Sequence, residues 1–257
     1  MRLFSTEQVS KYHPDKYADQ ISDSILDACL FQDKNSRVAC ECMVKGKTVY
    51  LCGEITTSAN IDYAKAARRV AAKLGYEIET VVQQISTQSP EIAGGILNGG
   101  AGDQGMMYGY ACNETESMLP FGFDLANRII AAIEDDVATP ESLLLGDAKC
   151  QVTVDLDKEP NVDSVEKVLV SVCHKSEASR DEIRRLVGAI LYGCGAIGKN
   201  TEIYVNPAGA WTLGGPAADC GLTGRKIVCD QYGGYCGVGG GAFSGKDPGK
   251  STRMFEK

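Results

Sequence analysis

The chain has 257 residues, 44% hydrophobic and 23% charged, which is an ordinary globular mixture long enough for one large or two ordinary domains. Its formal net charge of −8 argues against non-specific nucleic-acid binding, which needs an extended basic surface. It does not exclude an anionic small molecule, because a few focused lysines can dominate one cleft. No apolar run approaches the roughly 20 residues of a membrane-spanning helix, and the N-terminus lacks a signal-peptide core. The sequence therefore predicts a cytoplasmic protein with no membrane partner.

The eleven cysteines are scattered, with no C-x-x-C pair, and the only histidines are His13 and His174. A structural zinc site is therefore not expected. The odd cysteine count and the absence of a secretory signal favour reduced thiols. Most of them lie in apolar runs such as RVACECMV, where a free cysteine acts as a small hydrophobic residue.

The first half of the chain predicts the order helix, hairpin, helix, strand. A helix is predicted over 14–33, with an apolar stripe formed by Ala18, Ile21, Ile25 and Cys29. The runs RVACECMV and TVYLCGEIT predict two strands joined by a short turn at 45–47. A second helix over 61–74 is closed by Gly75, and a strand-like stretch over 76–86 follows.

The same order recurs in the second half. A helix is predicted over 124–137, and the strand-like runs CQVTVDLD and KVLVSVCH bracket a turn at 159–161. The next helix, over 179–192, begins with a capping box of Ser179 and Glu182, and TEIYVN closes the repeat as a strand. The repetition predicts an α+β fold of two related units, each a mostly antiparallel sheet with helices on one face. The free sheet faces must then stack on each other or meet a partner chain.

Three glycine-rich segments, 93–110, 212–226 and 233–247, each hold Asp or Lys and favour a nucleotide or phosphate site. The stretch GGAFSGK over 240–246 fits the first part of a P-loop. However, the lysine is followed by Asp247-Pro248-Gly249, where a P-loop needs Ser or Thr and the start of a helix. A P-loop kinase is therefore not favoured.

The HPDK sequence over 13–16 stands at the start of the first helix, where backbone N–H groups attract anions and a carboxylate can hold Mg²⁺. Alternatively, Asp15 only complements the helix dipole and His13 is an exposed residue before the cap. Glu41 and Glu54 lie in apolar strands and need a partner, a metal or a ligand, unless they face outward.

Charged residues also cluster around the glycine-rich segments, as a polyphosphate ligand would require. They are Asp147, Lys149, Asp219, Arg225, Lys226, Lys246 and Lys250. For any one of them, a surface ion pair is the alternative.

Together these motifs resemble the S-adenosylmethionine synthetase (methionine adenosyltransferase) family over nearly the whole chain. The resemblance rests on T-E-x-V-S-x-x-HPDK (6–16), RVACE (37–41), GEITTSA (53–59), QSPEI (88–92), GAGDQGMMYGYACNET (100–115), DAKCQVT (147–153), GGPAADCGLTGRKI (214–227) and GGGAFSGKDPGK (239–250). The family builds subunits from three similar α+β units, and its dimers share active sites across packed sheet faces. The resemblance implies units at 1–9 plus 111–211 and at 10–92 plus 212–257, with 93–110 as a remnant segment that carries an active-site loop.

The implied reaction joins ATP and L-methionine. The methionine sulfur attacks C5′ of ATP, triphosphate leaves, and the enzyme hydrolyses it to pyrophosphate and phosphate. The sulfur is already a nucleophile, so the protein mainly has to align the reactants and stabilise a highly charged leaving group. The resemblance also implies Mg²⁺ and K⁺ as cofactors and a homodimer, or a dimer of such dimers.

The resemblance assigns roles to individual positions. The catalytic set is His13, Lys149, Arg225, Lys226 and Lys246, and the same residues bind ATP together with Asp147, Trp211, Asp219 and Ala242. Methionine would be bound by Glu54, Gln88, Asp219 and Lys250. Glu7 would lie near the phosphates and metal, and Asp103 would line the partner subunit's site. Asp15 would bind Mg²⁺, and Glu41 would bind K⁺.

Two departures from the family pattern bear on these assignments. The family continues past Lys257 with most of a third unit, so that unit is expected to be largely absent. Thr252 stands where the family has a second Mg²⁺-binding aspartate. A non-catalytic subunit that dimerises with a full-length synthetase is therefore the alternative to an active enzyme.

Overall fold

The structure, a computed structural model, describes residues 1–88 and 105–249. The chain divides into two units, each assembled from separate parts of the sequence. The first unit contains Met1–His13, Gly109–Gly215 and Val228–Gly237. The second contains Pro14–Tyr108, Pro216–Ile227 and Val238–Lys257. This division differs from the sequence-based grouping at 10–13, 212–215 and 228–237, all of which that grouping placed with the second unit.

The strands and helices follow the predicted order, with additions at either end. They are β1 (Leu3–Val9), α1 (Pro14–Gln32), β2 (Arg37–Lys45), β3 (Thr48–Thr56), α2 (Tyr63–Lys73), β4 (Thr80–Ser86), α3 (Phe121–Val137), β5 (Leu144–Asp155), β6 (Val165–His174), α4 (Arg180–Gly193), β7 (Glu202–Val205), α5 (Gly215–Ala218), β8 (Gly221–Leu222) and α6 (Ile227–Asp230). The sequence did not predict β1, β8 or α5. Strand β5 begins at Leu144, six residues before the predicted run CQVTVDLD.

The first unit is a four-stranded sheet in the order β1-β5-β6-β7, covered on one face by α3 and α4. Its pairs are antiparallel except β6 with β7, which is parallel. The core packs apolar side chains of both helices against the sheet, among them Leu125, Ile129, Val152, Val170 and Leu191. The predicted capping box is present, because Ser179 accepts the backbone N–H of Glu182 and the Glu182 carboxylate accepts that of Ser179.

The second unit is a sheet in the order β4-β3-β2-β8, with α1 and α2 on one face. The β4 pair with β3 is parallel and the other pairs are antiparallel. The predicted stripe of α1 forms the centre of this core, since Ala18, Ile21, Ile25 and Cys29 are all fully buried. The predicted α+β class, with mostly antiparallel sheets and helices on one face of each, is therefore confirmed.

All eleven cysteines are unpaired, as the sequence predicts. Six of them are buried with other apolar side chains: Cys29, Cys40, Cys42, Cys150, Cys173 and Cys229. Burial raises the pKa of the Cys29 thiol to about 11, so at neutral pH this thiol stays protonated. Among the described residues, no helix is both long and apolar enough to cross a membrane.

Candidate functional site

Two glycine-rich loops of the second unit pair with the same edge of β2. We call residues 221–226 the arginine loop and residues 240–249 the lysine loop. In the arginine loop, β8 pairs with the end of β2, and Thr223 donates its backbone N–H to the Cys42 carbonyl at 3.0 Å. In the lysine loop, Gly245 accepts the Cys40 N–H at 2.9 Å, and Lys246 forms an isolated β-bridge with Ala39. Alternate residues of a strand direct their backbone groups to one edge, so β2 holds both loops side by side.

Asp15 lies at the first turn of α1 and binds the cations of the arginine loop. One carboxylate oxygen accepts the Leu222 N–H at 3.0 Å and Arg225 Nε at 2.9 Å, and the other accepts Lys226 Nζ at 2.7 Å. Burial by itself would raise the Asp15 pKa, but the bonds from Lys226, the Leu222 N–H and Arg225 outweigh it, and the pKa is lowered. Asp15 is therefore an ionised carboxylate between two cations, a larger role than complementing the helix dipole.

Lys246 and Glu41 form a second ion pair in the same unit, with 3.2 Å between Lys246 Nζ and a Glu41 carboxylate oxygen. The side chain of Lys246 is 18% exposed and that of Glu41 is 42% exposed. Ala39 of β2 has two register partners, Lys246 on one side and Glu54 of β3 on the other. The three charged side chains of this group, Glu41, Glu54 and Lys246, therefore belong to neighbouring positions of one sheet.

Glycine is required at two positions in these loops. Gly224 has φ +75° and Gly245 has φ +71°, values that side-chain-bearing residues rarely adopt. An added Cβ at Gly224 would overlap the Cβ of Ala242, and one at Gly245 would overlap the carbonyl oxygen of Cys40. Ala242 thus lies against the arginine loop, and the two loops are in direct contact there.

The buried side chain of Asp247 holds the lysine loop against β2. It is fully buried, and its carboxylate accepts the Val38 N–H at 2.7 Å, the Gly249 N–H at 2.9 Å and Arg37 Nη1 at 3.4 Å. The described residues after Lys246 form a turn and no helix. The residue that breaks the P-loop pattern is therefore a structural acceptor, and the loop is not a P-loop.

Gln88 has a buried side-chain amide that makes no hydrogen bond within the described residues. Its side chain is buried, with the residue 8% exposed, and neither amide atom has a hydrogen-bond partner in the described residues. Its own N–H donates to Thr56 Oγ1 at 3.1 Å, just after the end of β4. Glu54 lies on the adjoining strand, in register with Ser86 of β4, and is exposed. A buried amide that lacks partners points to a ligand that supplies them.

Several other residues of the predicted nucleotide site lie in the first unit. Glu7 on β1 and Lys149 on β5 are exposed, and Asp147, 4% exposed, accepts the Gly215 N–H at 2.6 Å. His13 is 2% exposed, so its interpretation as an exposed residue before the helix cap is wrong. Its backbone N–H donates to the Ser10 carbonyl at 3.0 Å.

Trp211 is held in place by His174, which the sequence analysis did not assign to the site. The Trp211 N–H donates to His174 Nε2 at 3.3 Å, and the His174 N–H donates to the Trp211 carbonyl at 2.9 Å. The indole Nε1 donates to the Leu213 carbonyl at 2.7 Å. The only sequence signal for this role is that His174 is one of two histidines in the chain.

Asp219, Asp103 and Lys250 complete the set of predicted site residues. Asp219 is exposed and accepts the N–H of its neighbour Cys220 at 2.8 Å. Asp103 and Lys250 lie outside the described residues.

The described residues contain no group of three or more His, Cys, Asp or Glu side chains that could hold a metal ion. A preformed cage for Mg²⁺ is thus absent from this part of the chain. A single ionised carboxylate such as Asp15 fits the other common arrangement, in which Mg²⁺ is bound by one or two carboxylates together with substrate phosphates. Glu41 offers one partly exposed carboxylate for K⁺.

Comparison with known proteins gives consistent matches along the chain. Residues 1–95, 98–211 and 213–255 match the models of the N-terminal, central and C-terminal domains of S-adenosylmethionine synthetase. S-adenosylmethionine synthase of Brachyspira hyodysenteriae is 41% identical, over 97% of this chain and 70% of its own length. That of Fusobacterium nucleatum is 43% identical, over 97% and 69%. A solved structure described as an unusual S-adenosylmethionine synthetase from Campylobacter jejuni has 33% identity and a TM-score of 0.88, over 99% of this chain and 71% of that one.

Proposed function

Because the chain belongs to the S-adenosylmethionine synthetase family and is a methionine adenosyltransferase, we propose that its two loops bind the triphosphate of ATP while the sulfur of L-methionine attacks C5′. The observation that carries this proposal is the arrangement of Arg225 and Lys226 on Asp15 and of Lys246 on Glu41. Three cations are held at the ends of glycine loops, where backbone can approach a polyphosphate closely. The alternative of a non-catalytic subunit is not favoured, since the relatives are named as synthases.

The chemistry asks for stabilisation of charge that leaves with the triphosphate. The sulfur needs no general base, so the barrier falls mainly through alignment and through cations placed where charge develops. Arg225, Lys226 and Lys246 supply that charge from the second unit. We assign His13, Asp147, Lys149 and Trp211 to the nucleotide, with Lys149 on its phosphates, and Glu7 near the phosphates and metal.

The ion pairs within the site also indicate how binding proceeds. Before ATP arrives, Asp15 and Glu41 balance the charge of the loop cations. Phosphate oxygens compete for the same donors, and Asp15 is then available to a divalent cation. We propose that Asp15 holds Mg²⁺ and Glu41 holds K⁺, and Mg²⁺ would neutralise charge on the phosphates when bound. The same cations would retain triphosphate for its hydrolysis to pyrophosphate and phosphate.

A direct assay tests this function. The purified chain, supplied with ATP, L-methionine, Mg²⁺ and K⁺, should form S-adenosylmethionine, pyrophosphate and phosphate. The His13→Ala variant is the reference for background activity. Product formation no greater than in that variant would overturn the proposal. Labelled γ-phosphate should appear as free phosphate, whereas a kinase would transfer it to an acceptor.

Methionine is assigned to Glu54 and Gln88, with Asp219 and Lys250 as further contacts and Asp103 lining the partner subunit's site. Glu54 is exposed and carries the charge that an ammonium group requires, and Gln88 is the buried amide whose side-chain atoms make no hydrogen bond to the described residues. Both residues lie at the ends of adjacent strands, β3 and β4.

The variant Gln88→Leu should raise the KM for methionine by about 10-fold, the cost of one or two lost hydrogen bonds, with little change in the KM for ATP. Its thermal stability should not fall, because leucine removes two buried polar atoms that have no hydrogen-bond partner among the described residues. Steady-state kinetics with each substrate varied, together with thermal unfolding, measures both effects. Equal changes in the two KM values would contradict the assignment.

We also propose a homodimer, or a dimer of such dimers, in which a second copy covers the open face of the second sheet. This face presents Tyr50, Val82 and Leu222, exposed 41%, 44% and 38%, although large apolar side chains are normally buried. Such a face, continuous over neighbouring strands, fits a self-complementary interface between two copies. The reduced thiols fit a cytoplasmic location, which we propose as well.

Cys52 reports on this interface, because it lies on the same face of β3 as Tyr50 and is exposed in the single chain. In the dimer, Cys52 should react slowly with Ellman's reagent. In a Tyr50→Glu variant, which should be monomeric by mass measurement, one additional thiol per chain should react fast. A wild-type dimer in which Cys52 reacts as fast as in the variant would place the interface elsewhere.

A further inference from the structure

Helix α1 has four aspartates spaced four residues apart, and each of the first three accepts a backbone N–H from one of the two loops. Asp15 accepts the Leu222 N–H at 3.0 Å, Asp19 accepts the Gly224 N–H at 2.9 Å, and Asp23 accepts the Gly245 N–H at 2.9 Å. Residues four apart lie on the same side of a helix, so the three acceptors form one row. In the sequence pattern alone, Asp19 and Asp23 are acidic residues between the apolar positions of α1.

The glycines that these two carboxylates hold are the residues directly before the loop cations. Gly224 precedes Arg225 and Lys226, and Gly245 precedes Lys246. Both glycines have positive φ, but glycine populates negative φ about as readily, so the residue type alone does not fix the observed conformation. A bond from a carboxylate to a backbone N–H is charge-assisted and stronger than a neutral one. The direction in which each cation leaves the loop therefore depends on one aspartate.

The fold of the second unit does not depend on these bonds alone. Helix α1 is fixed by its buried stripe, and both loops are also paired with β2 through Thr223, Gly245 and Asp247. Asp19 is 2% exposed and also accepts Lys16 Nζ at 3.1 Å. The loss of either carboxylate should therefore change the orientation of the loop cations more than the fold of the unit.

We propose that Asp19 and Asp23 are positioning residues of the triphosphate site. Asp19 acts through Arg225 and Lys226, and Asp23 acts through Lys246. The inference rests on the proposed function, since it assumes that these cations bind triphosphate.

A double-mutant cycle tests the Asp23 assignment, with inorganic tripolyphosphate as the probe in equilibrium binding. Asp23→Ala should weaken tripolyphosphate binding by about 10-fold, as expected for one charge-assisted hydrogen bond. It should raise the KM for ATP by a similar factor and leave the KM for methionine within about twofold. Because Asp23 acts through Lys246, the double variant with Lys246→Ala should bind no more weakly than Lys246→Ala alone.

Matched variants separate positioning from general damage. Asp27 continues the same row on α1 and is exposed, so Asp27→Ala should change none of these quantities. Asp23→Asn keeps an acceptor oxygen and should restore most of the binding. Asp19→Ala combined with Lys246→Ala should instead show multiplied losses, because Asp19 acts on the other loop.

Two outcomes overturn the inference while leaving the proposed function intact. One is a multiplied loss in the Asp23→Ala, Lys246→Ala double variant, and the other is an equal rise in both KM values. If Asp23→Ala does not fold, the same cycle with Asp23→Ser, which shortens the side chain and removes its charge, decides by the same criterion. Failure of the proposed function is visible separately, in a wild-type chain that neither binds tripolyphosphate nor forms S-adenosylmethionine.

Discussion

The Lys246→Met variant is expected to lower kcat/KM for ATP by about 10²–10³-fold, the usual loss for one group aimed at developing charge. Lys246 lies in the lysine loop next to β2, and its ammonium group forms an ion pair with the partly exposed carboxylate of Glu41. Methionine keeps the length and apolar body of the side chain, so the loop should retain its pairing with Val38 and Cys40. Thermal unfolding should therefore change little.

The measurement compares steady-state kinetics and tripolyphosphate binding for Lys246→Met with those for Lys73→Met, a control in the last turn of α2. Tripolyphosphate binding should weaken in the first variant and stay unchanged in the second. Unaltered tripolyphosphate binding in Lys246→Met would show that the lysine loop does not hold the leaving group. A large loss of stability would show that Lys246 serves the fold.

Local sequence patterns predicted the elements that are stabilised locally. The buried stripe of α1 and the capping box of α4 depend on residues three or four apart, and both are present. By contrast, β8 is a two-residue strand formed only by pairing with Met43 and Val44 of β2. Strand β1 pairs with β5, and its Ser5 hydroxyl meets that of Thr153, 148 residues away. No periodicity within seven residues can show such a partner.

The same distinction applies to the candidate site. The motifs identified Asp15, Arg225 and Lys226 as candidate residues of one nucleotide site. They did not show that Asp15 contacts Arg225 and Lys226, which lie 210 and 211 positions away in the sequence. Nor did the motifs show the structural role of Asp247. Its buried carboxylate accepts hydrogen bonds from the backbone N–H groups of Val38 and Gly249. The chemical type of the bound molecule can be inferred from the residue types in the motifs. The groups that orient those residues are known only from the tertiary contacts.

The Asp15→Asn variant is the second change with a large expected effect. It should lower turnover with Mg²⁺ but strengthen tripolyphosphate binding without Mg²⁺. Turnover with Mg²⁺ should fall by about 10²–10³-fold, because the proposed metal ligand loses its charge while its shape is kept. Tripolyphosphate binding without Mg²⁺ should become tighter, because the amide no longer neutralises Arg225 and Lys226. The Asn oxygen can still accept the Leu222 N–H, so the fold should be retained.

Lower turnover together with tighter metal-free binding would distinguish a carboxylate that binds the metal and pairs with the cations from one that only supports the loop. Asp15→Ala should lower the free energy of unfolding by about 1–3 kcal/mol, since it leaves the Leu222 N–H and two cations without this acceptor. Solvent screening keeps this loss small, because the Arg225 side chain is 46% exposed and that of Lys226 is 21% exposed. Calorimetry with and without Mg²⁺, beside chemical unfolding, gives all three quantities, with Asp27→Asn as the control. Weaker metal-free binding in Asp15→Asn would mean that the carboxylate orients the cations more than it competes for them, and the proposed exchange of Asp15 for phosphate would then be wrong.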